Sequence, residues 1–325
     1  MELVIHHWDA DGIGSAVLWT RVKGGSFQYF TPEIGNYFLG KRDRTEIEEK
    51  GADSLVLLDM SLPEEDLLYL NSLGPLTVVD HHHGRRVDGV RIINPTLEGR
   101  EAPSNTRVLT EMFSLPHNDM EYLGLYGDNG FKLKEGHPLL EEMRAFYREK
   151  FGDFLRAVKV VDLQYKTGDR ERVYGVVRYL LENPLLSVVE KKEFSQVESL
   201  VEEEIEGELK KVRVFPDLNF LFTPTRFRIV SDLTRNLFAR FPESINMVVG
   251  YQGEFYNFYL RTSLEDLSPL VRRAKSLGFY AGGKKDVIGA VVERERVGDY
   301  IALLEEFFRE RGRPVNLRSL VGDLS

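Results

Sequence analysis

Residues 75–84 read PLTVVDHHHG: a short apolar run that ends in an aspartate, three histidines and a glycine. A run that is apolar at every position, rather than at alternate ones, predicts a strand buried on both faces, as in a parallel sheet. The same pattern occurs twice upstream. Residues 54–59 (SLVLLD) end in Asp59, and residues 2–6 (ELVIH) lead into His7-Trp8-Asp9-Ala10-Asp11-Gly12. Between these runs lie an apolar helix-like stretch, SAVLWTRV, and two polar helix-compatible segments, 41–50 and 63–73. Strands that alternate with helices predict an α/β domain built on a parallel sheet. Ligands of open α/β sheets bind outside the carboxyl ends of the strands. The three polar clusters, far apart in sequence, are therefore expected to converge.

Each cluster has a chemical reading and a plainer one. In an extended segment, residues two apart point the same way. His7, Asp9 and Asp11 can thus present three metal-capable groups, with Gly12 and Gly14 turning the chain into a helix expected near Ser15. The plainer reading is a polar loop of caps and turn residues. Asp59, taken alone, is equally a helix cap ahead of Ser61-Leu62-Pro63. Asp80-His81-His82-His83 is harder to explain by packing. Neutral imidazoles bind metal or contact phosphate, and Asp80 can hold one from behind. Asp128, within LGLYGDNG at 123–130, follows an apolar run and taken alone is as well a turn aspartate. Jointly, these residues offer four aspartates and at least two histidines at successive strand ends. Two divalent cations roughly 3.5–4 Å apart need such a set, with one carboxylate bridging them.

Bulk properties narrow the chemistry. The 325 residues suggest two domains. With no cysteine in the chain, any metal is held by oxygen and imidazole, which favours Mn²⁺, Mg²⁺ or Zn²⁺. A net charge of −9 argues against a surface that coats nucleic acid, though a carboxylate cage and a short basic groove are compatible with it. No apolar run approaches the ~20 residues that span a bilayer. The opening MELVIHHWDADG has neither a basic start nor an apolar signal stretch. A cytoplasmic location, away from membranes, is expected.

Further along, 139–163 and 171–182 read as amphipathic helices, the second broken by Asn183-Pro184. Residues 190–213 look like one long charged helix with Phe194, Val197, Leu200, Val201, Ile205, Leu209 and Val212 on its apolar stripe. Strands are expected at 218–223, 226–230, 245–250, 255–261 and 287–292, and helices at 232–240, 266–277 and 298–311. The loop YAGGKKDVIG at 280–289 is the most distinctive feature of this half. The expected division is residues 1–185 as a catalytic domain, 186–215 as a linker helix and 216–325 as a substrate-binding domain.

The order HxDxDG, D, DHH and GD resembles the four motifs of the DHH phosphoesterase superfamily. The second half is similar, less specifically, to the DHHA1 domain that accompanies it in RecJ-like exonucleases, short-oligonucleotide hydrolases and cyclic-dinucleotide phosphodiesterases. The resemblance covers most of the chain. It implies an α/β fold, with an N-terminal DHH domain of mainly parallel sheet flanked by helices. A smaller C-terminal α/β DHHA1-like domain would follow, joined by a long helix, with the active site in the cleft between the domains. It further implies two divalent cations, Mn²⁺ in the first place and Mg²⁺ in the second. One would take His7, Asp9 and Asp59; the other would take Asp11, Asp59, His81 and Asp128, with Asp59 bridging. His82 would touch the scissile phosphate and Asp80 would orient His81. Arg261, in Tyr259-Leu-Arg-Thr-Ser263, matches the strand arginine with which the family grips its substrate. Gly282-Gly283-Lys284-Lys285 stands where the family carries GGGH, with Lys285 in place of the histidine; a surface hairpin is the plainer reading. The implied activity is that of a single-strand-specific exonuclease on DNA or RNA ends, with hydrolysis of short oligonucleotides, cyclic dinucleotides or 3′,5′-bisphosphonucleotides as the alternative. A non-catalytic scaffold is the third reading. Similarity to the archaeal RecJ-like group, which includes the Hef-associated nuclease, adds a replication or repair protein as partner. A homo-oligomer is compatible with all of this.

Overall fold

Five short strands organise the first part of the chain: β1 (Glu2–His6), β2 (Phe27–Phe30), β3 (Ser54–Leu58), β4 (Leu76–Val79) and β5 (Arg91–Ile93). They lie in the order β2-β1-β3-β4-β5 with every neighbouring pair parallel. The computed structural model describes residues 1–130, 133–252 and 254–321. Successive side chains in β1 and β3 point to opposite faces, yet Leu3, Val4, Ile5 and all of Leu55–Leu58 are buried. Both faces are therefore covered, which is why these runs are apolar throughout.

The cover comes from α1 (Ala10–Lys23), α2 (Lys41–Lys50), α3 (Glu64–Leu73), α4 (Asn105–Met112), α5 (Asp119–Asn129), α6 (Pro138–Tyr147), α7 (Phe151–Leu163) and α8 (Arg170–Glu182). Helix α1 is the central one. Every residue from Ala10 to Trp19 is buried, so it shows no polar stripe. Two strands of this sheet are absent from the sequence reading. β2 has four residues and β5 three, too few to show a period. The helix expected over 139–163 is two helices, parted near Arg148, whose φ of 52° is left-handed.

The chain divides into two compact units, Met1–Glu198 and Ser199–Ser325. The long helix expected over 190–213 is interrupted. It consists of α9 (Lys192–Ser195) and α10 (Val197–Leu209), and the division between the units falls inside α10. Its interruption coincides with a tertiary contact. The Gln164 amide donates to the Phe194 carbonyl at 3.1 Å, taking an acceptor that a continuous helix would use. Phe194 itself is buried in the core of the first unit.

The second unit is a six-stranded mixed sheet of β6 (Arg213–Val214), β7 (Leu218–Thr223), β8 (Ile245–Gln252), β9 (Phe255–Arg261), β10 (Tyr280–Lys284) and β11 (Val287–Glu293), ordered β10-β11-β9-β8-β7-β6. Only β7 and β8 pair in parallel. α11 (Val230–Arg240), α12 (Ser268–Ser276), α13 (Val297–Arg309) and α14 (Arg318–Val321) complete it. Residues 226–230 are not the expected strand; buried Ile229 and Val230 belong to the start of α11. Residues 280–289 are not a loop but an antiparallel hairpin in which Gly282 faces Gly289.

Among the described residues, no helix is long and apolar enough to cross a membrane.

Candidate metal centre

The parallel ladder runs one residue past each strand. His7 N donates to Leu58 O at 3.2 Å, Asp59 N to Val79 O at 3.0 Å and Asp80 N to Ile93 O at 3.1 Å. Three polar residues are thereby hydrogen-bonded into one row at the carboxyl edge. From β1 the chain passes to β2 on one side and then to β3 on the other, so the edge between His7 and Asp59 is the topological switch point of the sheet. Asp59 takes a φ of 60°, a left-handed conformation in which aspartate is among the few tolerated side chains.

Helix α1 starts at Ala10, five residues earlier than expected, because Asp9 is its N-cap: Asp9 Oδ1 accepts from Gly12 N at 3.1 Å. His7, Asp9 and Asp11 therefore do not lie along one extended segment. They follow a strand end, a cap and a first helical turn. Gly12 is required by contact, since a Cβ there would stand 2.2 Å from the His7 carbonyl oxygen. Asp11 is fully buried and caps a second helix. Its Oδ2 accepts from Asn105 N at 2.6 Å and its Oδ1 from Thr106 N at 2.9 Å, two of the free N–H groups at the start of α4. Asp128 reaches the site from the last turn of α5, not from a strand end. Helix α5 lies close enough for this through Gly124, where a Cβ would meet Asp11 Oδ1 at 2.0 Å and Thr106 Oγ1 at 2.3 Å.

Three overlapping sets of donors result. His7, Asp9 and Asp59 form one, Asp11, His81 and Asp128 a second, and Asp59, His81 and His82 a third, each with its donor atoms within 4.8 Å of one another. His81 Nε2 stands 3.1 Å from Asp128 Oδ2, 3.4 Å from Asp59 Oδ1 and 3.7 Å from Asp11 Oδ2. His7 Nδ1 stands 2.7 Å from Asp9 Oδ2 and 3.8 Å from Asp59 Oδ2. Burial pushes Asp59 well above the ordinary carboxylate range, and the neighbouring Asp11 adds to it. Burial and then Asp128 push Asp11 up to about 6. Burial works against a charge on His81, but Asp128 and Asp59 outweigh it and drive its pKa up to about 12. So much carboxylate in one buried place calls for positive charge. Asp59 Oδ1, His7 Nε2 and His81 Nε2 are also buried without a hydrogen bond of their own. Oxygen and imidazole donors gathered this closely around common centres fit hard or borderline divalent cations.

The two histidines have different supports. His81 Nδ1 lies 3.2 Å from the Ala102 carbonyl, which turns Nε2 toward the carboxylates. Asp80 does not hold His81 by its ring, as the resemblance implied. Its Oδ1 lies 2.8 Å from His82 Nδ1 and also accepts from His81 N at 2.9 Å and His82 N at 3.3 Å. The next carbonyl is fixed as well, since His82 O accepts from Asn94 Nδ2 at 2.9 Å and Thr96 Oγ1 at 3.1 Å. The loop is thus clamped by Asp80 on one side and by Asn94 and Thr96 on the other. These last two, with Ala102 and the Ser104–Thr106 start of α4, were missed from sequence. Asn94-Pro95, a turn signal, and the helix cap Ser104 ahead of Val108-Leu109 were the available cues.

The other expected residues lie in the second unit. Arg261 ends β9, opposite Val287, with Nη1 3.1 Å from Asp286 Oδ2. Gly282, Gly283 and Lys284 are exposed in β10, and Lys285 is exposed in the turn that follows. These residues gather around the β10–β11 hairpin. The two glycines lie in an edge strand, not in a phosphate-cradling turn.

Residues 3–129 match the DHH family, N-terminal domain. No curated protein matches the chain. Among solved structures, RecJ of Thermus thermophilus in complex with Mn²⁺ is similar, with a TM-score of 0.65 and 18% identity over 97% of this chain and 53% of that one. The chain thus spans about half the length of that relative. An exonuclease RecJ bound to manganese gives a TM-score of 0.61 at 17% identity, over 94% of this chain and 89% of that chain. The DHH domain of a member of the s1p family of ribosomal proteins gives 0.60 at 16%, over 97% and 87%. At these identities the likeness shows the fold, and it extends over both units. The similarity to the DHH family is thus carried by residues 3–129, with the motifs standing at the strand ends and helix turns described above.

Proposed function

We propose that the chain is a two-cation phosphodiesterase that shortens single-stranded DNA or RNA from an end. The broader class, metal-dependent phosphoesterase, is that of the DHH family. The observation that carries the reading is Asp59. One buried carboxylate at the switch point belongs both to the His7–Asp9 donor set and to the His81 side, as a residue joining two cations must. Divalent cations held there, Mn²⁺ before Mg²⁺, would make water a competent nucleophile near neutral pH and neutralise charge on the phosphoryl oxygens.

The side chains do the rest. His7, Asp9 and Asp59 would hold one cation; Asp11, His81 and Asp128, with Asp59, the other. Asp11 is anchored by α4 and His81 by Ala102, so neither has to be ordered when a cation binds. His82 is 49% exposed, with its Nδ1 taken by Asp80, which leaves Nε2 to meet a phosphoryl oxygen. Asp80 would hold the ring by its Nδ1 during that contact, and the Asn94–Thr96 clamp would keep it from drifting. Arg261, Lys284 and Lys285, beside the exposed backbone of Gly282 and Gly283, would serve as charges for the strand's own phosphates. A cytoplasmic enzyme working beside replication or repair proteins is the setting this reading fits.

The test is digestion of end-labelled single-stranded DNA and RNA of graded length with Mn²⁺, and again with a chelator. Stepwise shortening of long single strands, abolished by the chelator, is expected. Cleavage confined to the shortest oligomers or to cyclic dinucleotides would replace the exonuclease by a small-substrate hydrolase. A Mn²⁺-loaded protein that cleaves nothing would leave only a scaffold.

A further inference from the structure

One buried histidine has no part in the roles above. His6 is the last residue of β1 and is fully buried. Its ring stands between Tyr29 and Tyr174, edge-on to both, with centroids 6.4 Å away in each case. An apolar residue is what such a place in a parallel strand ordinarily holds. The imidazole makes one hydrogen bond, from Nδ1 to the His7 carbonyl at 2.7 Å. A carbonyl only accepts, so Nδ1 carries the proton. In the neutral ring Nε2 is then a bare acceptor, buried and without a hydrogen-bond partner among the described residues. Both flanking tyrosines have their hydroxyls engaged elsewhere, with Thr20 Oγ1 and with Thr31 N, each at 3.0 Å. An unpaired polar atom in the interior lowers stability. What the imidazole contributes instead is the bond to His7.

That bond lies where the chain turns from β1 into α1. Only His7, Trp8 and Asp9 separate the two elements, and His7 and Asp9 belong to one donor set. Both peptide planes that flank the His7 side chain are tied. In the plane before it, His7 N donates to Leu58 O at 3.2 Å and the His6 carbonyl accepts from Thr31 Oγ1 at 2.7 Å. In the plane after it, the His7 carbonyl accepts from His6 Nδ1 and is crowded from its other side by Gly12. The two soft backbone angles of a residue are set by the planes on either side of it. Fixing both planes therefore fixes the direction in which the His7 ring leaves the chain.

We propose that His6 is a positioning residue, whose Nδ1–H holds the His7 peptide so that His7 and Asp9 present their donors to one cation. This rests on the two-cation reading. It assigns His6 to the His7–Asp9–Asp59 set, because Asp11 is anchored by α4 and His81 by Ala102. Removing the bond should act on one of the two ions and spare the other.

The test is calorimetric titration of the metal-free full chain with Mn²⁺, for wild type, His6→Phe, His6→Asn and Val17→Ala. Phenylalanine fills the space and has no donor. The asparagine amide can place an N–H close to where Nδ1–H stands. Val17→Ala truncates a buried residue about two turns along α1 and controls for lost stability. In His6→Phe one ion is expected to bind about 10–100-fold more weakly, as on loss of a supporting partner, while the other binds as in wild type. His6→Asn should recover what phenylalanine loses. Unchanged binding of both ions in His6→Phe would overturn the proposal. Equal weakening of both ions in His6→Phe and Val17→Ala would also overturn it, making His6 a core residue only. A second readout needs no cation. Long-range ¹H–¹⁵N spectra of the imidazoles in metal-free wild type are expected to show His6, identified by the signal that His6→Asn removes, as the neutral Nδ1–H tautomer. The Nε2–H tautomer would overturn the proposal even if His6→Phe failed to fold. A wild type that binds a single ion would end the two-cation reading, while the tautomer and the affinity of that ion across the variants would still decide whether His6 positions His7.

Discussion

The carboxyl edge of the first sheet and the β10–β11 hairpin of the second unit both carry residues expected to meet substrate, but the protein holds them differently. At the first, His7, Asp59 and Asp80 are bonded into a parallel ladder, and Asp11 and Asp128 come from helices packed through Gly124. Their positions are consequences of the fold. At the second, two glycines and two lysines line an exposed edge strand and its turn, and Arg261 is already paired with Asp286. Their positions are local, and the Arg261 charge is partly neutralised. Buried chemistry has few alternative explanations, whereas exposed chemistry has many. The two regions should therefore respond very differently to substitution.

The largest effect should come from Asp59→Asn. Asparagine also tolerates a φ of 60°, so the backbone is kept and only the shared charge is lost. Hydrolysis in Mn²⁺ should fall by at least about 10³-fold, beyond the 10–100-fold of a lost supporting partner. The cation-free variant should melt above wild type, because it removes a carboxylate that Asp11 and burial both disfavour. A lower melting temperature without cations would mean that the acidic cage is not a stability liability.

His82→Ala comes next. Turnover should drop by about 10²–10⁴-fold, while elemental analysis finds the same metal content as wild type. Loss of a metal equivalent would make His82 a ligand, as its place in the Asp59–His81 donor set allows.

Gly124→Ala tests the packing that brings Asp128 in. The new methyl would press on buried Asp11 and Thr106, at about 1–3 kcal/mol of stability, measured by denaturant unfolding. A variant as stable as wild type would show that α5 has room to move.

The smallest effect belongs to the hairpin. Lys284→Ala with Lys285→Ala should weaken single-strand binding and flatten its salt dependence by up to about 1.4 in log–log slope, since each neutralised phosphate accounts for roughly 0.7. Unchanged affinity at two salt concentrations would make the hairpin an ordinary edge.

Most of the residues that gather at the carboxyl edge of the first sheet were legible before the fold was known. β1, β3 and β4 announce themselves because burial on both faces forces unbroken apolar runs, and the residues that end them are conspicuous by contrast. What stayed hidden is what depends on partners. β2 and β5 are strands because a sheet edge accepts them, not because three or four residues encode a period. Asp80 looked like the partner of the histidine expected to bind metal, yet the loop's curl brings its carboxylate to His82. Asp128 has the same glycine neighbours whether it sits on a helix or in a turn. The 190–213 stripe reads as one helix until Gln164, distant in sequence, takes the Phe194 carbonyl.

The most direct test of the central claim is the number of Mn²⁺ ions bound per chain, measured by calorimetric titration with elemental analysis, for wild type and Asp59→Asn side by side. Two ions in wild type and loss of tight binding in the variant are expected, because Asp59 belongs to two of the three donor sets. A single ion in wild type, or two ions with normal turnover in Asp59→Asn, would contradict a centre built around that carboxylate.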